Sequence, residues 1–140
     1  MSKLSEIEKI LNDASIQSYY DNYAGNEALV IASNKNELKN DIFIFPYPEE
    51  EDDLTNLFQF TFNIKVDKKK FDEESFANNL LEYNKELPFG SFTIFDNEII
   101  CFKYIMICNR DNTIDQTILF EILTVLIYFM GKVENKFGTL

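Results

Sequence analysis

The chain has no histidine and no tryptophan, and only two cysteines, four glycines and three prolines in 140 residues. Without histidine, the common nucleophile triads, histidine-bound metals and the usual proton shuttle near pH 7 are all excluded. Two cysteines without histidine fall short of the four Cys/His ligands that a structural zinc site wants. Those cysteines, Cys101 and Cys108, stand seven residues apart in a run that reads as a strand. An odd spacing in a strand sends them to opposite faces, so geometry disfavours a disulfide between them and both read as small buried hydrophobes of a reducing compartment. The low glycine and proline content excludes collagen-like and linker-like chains. A Gly-rich phosphate loop, a Gly-x-Ser-x-Gly elbow and the kinase motifs are all missing. Ser91 has no histidine-type base to activate it, and the acids are too numerous to single out a catalytic pair. The sequence therefore predicts no enzyme, no cofactor and no metal.

Positive charge is also scarce. Thirteen bases, of which only Arg110 is arginine, face 24 acids, for a net charge of −11. Binding to a phosphate backbone depends on cations that displace counterions, so nucleic acid and anionic membrane are not expected partners. The one basic run, Lys65 and Lys68 to Lys70, is interrupted by Asp67 and followed by Asp72, Glu73 and Glu74. It reads as a solvated junction between a strand and a helix. The acidic balance favours solubility and attraction to basic partners. The run Glu49-Glu50-Glu51-Asp52-Asp53 lacks the alternating ligands and the glycine of a calcium loop, and reads as a self-repelling loop or an acidic docking edge.

Long apolar runs are few. The longest, Ile118 to Met130, spans thirteen residues with Glu121 and Thr124 inside it, against the about twenty of a membrane span. Met1 to Leu11 carries Lys3, Glu6, Glu8 and Lys9, and no apolar stretch of signal-peptide length follows. A soluble cytoplasmic protein is expected.

What the chain does have is apolar and aromatic side chains, at 46% and 15% of residues, with 14 Phe and 7 Tyr. That is too apolar for disorder, and 140 residues suffice for one domain that buries about two-thirds of its surface. Ser2 to Ala14 carries an apolar stripe at helical spacing, through Leu4, Ile7, Ile10, Leu11 and Ala14. Strands are predicted over Ile16 to Tyr23, Glu27 to Ala32 and Asp41 to Phe45, with Asn34 to Asn40 as a turn or loop. Leu57 to Val66 is the clearest strand. Phe58, Phe60, Phe62, Ile64 and Val66 alternate with polar residues, which puts the five apolar side chains on one face. The next helix begins at Asp72 as N-cap, with Phe71 and Phe76 at staple spacing, and carries Phe76, Leu80, Tyr83 and Leu87 on one face until Pro88 stops it.

Ser91 to Phe95 and Glu98 to Cys108 form a predicted hairpin through Asp96-Asn97. The second of these strands is apolar on both faces, which predicts a central strand or one whose outer face meets a partner. Thr113 to Gln116 fits a capping box, with Thr113 as the cap of a last helix that runs to about Met130 or to Asn135. That helix is apolar nearly all round, so it must touch more than one sheet face. The sum is an α+β domain with helices packed on an antiparallel sheet.

The segment Asn84-x-x-Leu87-Pro88-Phe89-Gly90-x-Phe92, then a short turn, Ile100-x-Phe102-Lys103-Tyr104 and a capped apolar helix, resembles the YbjN-like bacterial family. Members of that family are similar in fold to type III secretion chaperones, with an α-β-β-β-α-β-β-α layout, and are usually dimeric. The resemblance covers residues 70–135, and the N-terminal half fits by element order alone. Two positions depart from it: Asp96-Asn97 stands where Asp and Gly are usual, and Lys103 where Arg is common. It implies a scaffold for protein binding or regulation and supplies no catalytic residue. The expected function is a non-enzymatic, chaperone-like or regulatory protein-binding module that forms a homodimer. The alternative is an acidic immunity protein that neutralises a basic toxin. The residues expected to meet a partner are Leu119, Leu123 and Ile127 on the last helix, Ile105 and Ile107 on the long strand, and Glu49, Glu50 and Glu51.

Overall fold

A computed structural model describes residues 3–46, 55–70, 72–96, 98–109 and 113–140. Among the described residues four helices and six strands follow one another as α1 (Lys3–Asp13), β1 (Ser18–Tyr23), β2 (Asn26–Ile31), α2 (Ser33–Asn36), β3 (Ile42–Pro46), β4 (Thr55–Lys65), α3 (Glu73–Glu86), β5 (Ser91–Phe95), β6 (Ile99–Asn109) and α4 (Gln116–Phe137). The strands make one antiparallel sheet in the order β1-β2-β3-β4-β6-β5. Four strands precede α3, one more than in the layout that the family resemblance implies, and the segment read as a turn after β2 holds a single helical turn.

The period-two pattern of β4 decides the layering. Phe58, Phe60, Phe62 and Ile64 are all buried, and register places them opposite Met106, Tyr104, Phe102 and Ile100 of β6. On β3 and β2 the same face carries Ile42, Ile44, Leu29 and Ile31. All the helices of useful length press on this face. α1 lies over β1, α4 over β4 and α3 over β5. Leu4, Ile7 and Leu11, then Leu119, Leu126 and Val133, then Phe76 and Leu80, complete one continuous core. At its centre Phe62 stacks on Phe102 with ring centroids 5.2 Å apart, and Phe92 meets both rings edge-on. Such pairs add about 0.5–1.5 kcal/mol to the burial of their area.

The caps explain where the helices begin. Asp72 accepts a hydrogen bond from the Glu74 backbone N–H and caps α3 as its sequence predicts. Phe71, its proposed staple partner, lies outside the described residues. At α4 the cap is Asp115, not Thr113: its carboxylate accepts from the backbone N–H groups of Thr117 and Ile118, and the helix starts at Gln116. Both residue types can cap, but the one placed next to the first helical turn takes the role, and a charged acceptor suits the positive end of the helix dipole. α4 also runs past both expected ends, to Phe137, because Gly131 is absorbed into it.

The C-terminal stretch closes the sheet's end. Thr139 donates to the Lys65 carbonyl and Asp67 to the Phe137 carbonyl, while Gly138 bridges to Val66. Inside this closure sits Glu134, only 1% exposed. Its carboxylate accepts from the Asn40 side chain and from the Leu140 backbone N–H. A Cβ at position 138 would collide with that carboxyl group, so glycine is what leaves room for it.

Two asparagines guard the sheet's margins. Asn84 of α3 accepts from the Phe92 N–H at 2.7 Å and donates to the Phe92 carbonyl at 3.2 Å. Asn36 of α2 does the same to Gln17, just ahead of β1, at 3.0 and 2.8 Å. Each primary amide imitates a neighbouring strand residue: Asn84 occupies one residue's backbone groups on the edge strand β5, while Asn36, which also donates to the Ala32 carbonyl, continues the β1–β2 pairing by one step. This explains the first residue of the Asn84–Phe92 segment. Its glycine has an equally local reason: Gly90 has φ +75°, and a Cβ there would lie 2.6 Å from the Phe102 ring and 2.9 Å from the Lys103 carbonyl oxygen.

Candidate interaction surface

The second face of the sheet carries no helix among the described residues, because α1, α3 and α4 all lie on the first. Its two halves differ. Over β1 to β4 the sheet covers itself. Tyr23 lays its ring across Phe43 and Phe45, at 4.5 and 5.4 Å, and its hydroxyl accepts from Asn63 on β4. Val30 and Phe45 are thereby buried without help from a helix. Beneath, Thr61 is fully buried and donates to the Phe102 carbonyl at 2.6 Å.

Over β6 and β5 the face is bare. Ile107 is 71% exposed and Phe95 55%, while Ile99 is also exposed and Ile105 half-buried. Register sets Leu57 beside Ile107 at one end and Phe95 beside Ile99 at the other, with Lys103 between them. The strand read from sequence as apolar on both faces is thus packed on one and open on the other. Cys101, on the open face, is buried, and Cys108, on the packed face, is half-buried; neither is in a disulfide.

α4 forms the second apolar surface. It is 22 residues long and apolar enough to cross a membrane on length and composition alone, so the shortness of the Ile118–Met130 run does not by itself argue against a span. Its packing does: Leu119, Ile122, Leu123, Leu126, Phe129, Met130 and Val133 are buried against the sheet and its flanking helices. The residues expected to meet a partner on this helix therefore divide. Leu119 and Leu123 turn toward the core, because they share a side with Leu126 and Met130, and only Ile127 faces outward. Leu123 still contributes to the floor of a groove beside the helix. This groove holds about 470 Å³ between α4 and the α1–β1 and α2 segments, and Phe120, Ile127, Ile31, Ile16 and Leu38 line it. On the other side of the Phe120–Thr124 ridge a second hollow of about 480 Å³ is lined by Thr117, Glu121 and Val125. Toward α3, Lys132 lies 3.4 Å from the Glu86 carboxylate and over the Tyr83 and Tyr128 rings. Hydrogen bonding to Tyr128, helped by the nearby Glu86 charge, holds its ammonium above the ordinary lysine range although desolvation opposes this.

Glu49, Glu50 and Glu51 lie outside the described residues. Among the described residues no group of three or more Cys, Asp or Glu side chains converges to hold a metal ion. The surfaces sequence reasoning did not single out are Phe95 and Ile99, and the grooves beside Phe120. The hairpin register would have found the first pair, since alternation puts both on the Ile107 face.

The architecture has a counterpart among solved structures. Over 96% of this chain and 94% of the other, it superposes on the crystal structure of YbjN from E. coli, a protein proposed to regulate transcription, with a TM-score of 0.51. The fold is YbjN-like. At 12% identity the likeness is one of fold. No protein-family model matches the sequence, and no curated protein does. The YbjN-like α+β fold with an antiparallel sheet agrees with the expectation from the element order and from the family resemblance.

Proposed function

We propose that this YbjN-like domain is a non-enzymatic protein-binding module of the cytoplasm, regulatory or chaperone-like in role. The observation that carries this reading is the bare half of the sheet. Ile107, Ile99 and Phe95 lie in water on rigid strands, next to a half of the same face that covers itself with Tyr23. Exposed apolar side chains at both ends of an ordered sheet face, with Lys103 between them, are features that a partner covers. Leaving it wet forfeits about 25 cal/mol for every Å² that a partner would bury. The partner is a polypeptide that presents apolar side chains in an extended or helical segment. The YbjN-like neighbour is itself a candidate regulator, which agrees with a binding role.

The test is affinity capture from the source organism with the wild-type chain and with Ile107→Asp. A defined protein retained by the first and lost by the second is the expected result, with both chains giving the same unfolding curve. Equal retention by both would sink the sheet-face assignment. If the retained protein is a basic toxin whose activity the chain suppresses, the acidic immunity reading, which the net charge of −11 favours, replaces the regulatory one.

A further inference from the structure

We propose that the outer edge of β1 binds an extended segment of another polypeptide as one more strand of the sheet, and that Asp21 selects a segment with a lysine or arginine beside apolar residues. The proposal extends the protein-recognition reading above to a second surface. Ile107→Asp, which tests that reading, leaves β1 intact.

The two margins of the sheet differ. β5 forms one, and there Asn84 holds both backbone groups of Phe92. β1 forms the other, and its register with β2 fixes which of its backbone groups point outward. Tyr23 faces Asn26 across a two-residue turn whose Ala24 and Gly25 both have positive φ, so these two residues exchange hydrogen bonds. Counting back along the strand, Asp21 and Tyr19 also bond inward to β2, whereas Asn22, Tyr20 and Ser18 present their N–H and C=O groups to the outside. Gln17, in step with the inward set, is the residue that Asn36 clamps, so that clamp leaves the outer row untouched. Among the described residues no strand or side chain pairs with the outer backbone groups of Ser18 or Tyr20. Tyr19 and Tyr20 beside them are exposed. The Ser18 Oγ is buried yet makes no hydrogen bond among the described residues. A row of unused backbone groups with an unpaired hydroxyl beside it is a template for a strand.

Asp21 decides which strand. Its carboxylate lies at the margin itself, where Oδ1 accepts from the Asn22 N–H at 2.7 Å. A copy of β1 turned antiparallel about Tyr20 would set Ser18 of each chain against Asn22 of the other, whose N–H the carboxylate already occupies, and would bring two carboxylates to one seam. A foreign segment with a base opposite Asp21 meets neither obstacle. Side chains directly opposite at a position without mutual backbone bonds stand closest. A lysine or arginine there reaches the carboxylate, draws it off Asn22 and frees that N–H to lengthen the ladder. The helix side of the margin is acidic too, since Glu8 accepts from the Tyr20 hydroxyl and Glu27 lies opposite Asn22. Together α1, β1, β2 and α2 carry five acids against three lysines, and Lys3, Lys9 and Lys35 all stand on the helices. The segment's own order follows from antiparallel pairing. It carries a base opposite Asp21, apolar residues opposite Tyr20 and Tyr19, and a serine or threonine opposite Ser18, within reach of the unpaired hydroxyl.

The probe is a synthetic peptide with the core Arg-Val-Ile-Thr between Gly-Ser flanks, set against the same peptide with Glu in place of Arg. In fluorescence anisotropy with the full chain, the arginine peptide is expected to bind about tenfold more tightly than the glutamate peptide. Asp21→Lys, at an exposed position outside the core, is expected to reverse that order. Amide hydrogen exchange gives the location: the N–H groups of Ser18, Tyr20 and Asn22 should gain protection when the arginine peptide binds. Methylating the peptide nitrogens that donate to β1 should abolish binding. Ile107→Asp should bind both peptides as the wild type does, so the failure of either reading is seen separately. Equal affinities for the two peptides, or no binding of either, would overturn the selection by Asp21. Protection that appears on β5 or around Ile107 instead would overturn the β1 assignment and leave the sheet-face reading standing. A Tyr20 N–H already protected by self-association of the chain would overturn the foreign strand.

Discussion

Gly90 meets two demands at once, a positive φ and a neighbour too close for any side chain. Either alone is survivable, but here relaxing the backbone drives the new carbon toward Phe102. Gly90→Ala is expected to lower stability by more than about 1 kcal/mol in urea denaturation. The deeper contributions belong to Phe60 and Phe102, both fully buried. Phe60→Ala and Phe102→Ala should each cost about 3–5 kcal/mol, since the lost area comes with a cavity. Near-zero cost at both would mean that the strand faces are assigned the wrong way round. Asp115→Ala should cost about 1 kcal/mol and Thr113→Ala much less, in line with which residue caps α4. At Tyr20, partial burial, with Glu8 nearby, lifts the phenol above its ordinary range. The folded state then holds this proton more tightly than the unfolded one. The contribution is present below pH about 10, the value of a free tyrosine, and is lost as pH rises through the folded value. Absorbance at 295 nm should show a tyrosine that titrates late, and Tyr20→Phe should remove it.

At the scale of the element, local signals carried far. Alternation in β4, the Asp72 cap and the Pro88 stop each describe a short stretch whose own chemistry decides its shape. The pattern fails where two solutions are locally equivalent. Thr113 and Asp115 both can cap, and the distinction depends on how the chain leaves β6. α4 is a second case. An all-round apolar sequence states that the helix has several neighbours but not which side each takes. The sequence pattern therefore groups Leu119 and Leu123 with Ile127, and only the packing against β4 separates them. The exposed Phe95 and Ile99 were legible in the alternation of the hairpin, but their significance depends on knowing that no described helix covers that face.

For the whole molecule, the arrangement of helices on a single side turns a composition into a division of labour. One face of the sheet and three helices make the core; the other face and the back of α4 remain apolar and outside it. The fold class followed from element order and turn signals. The surfaces did not, because which side of an amphipathic element stays uncovered is a property of the assembled layers.

The amide clamp at Phe92 bears on what happens in crowded solution. An exposed strand recruits identical strands from other molecules and can nucleate fibrous deposits. Here Asn84 occupies the Phe92 N–H and carbonyl on the edge strand β5 with a side chain that cannot be extended further. Asn84→Ala, which frees the Phe92 amide and carbonyl while leaving the core untouched, should shorten the lag before thioflavin T fluorescence rises under agitation.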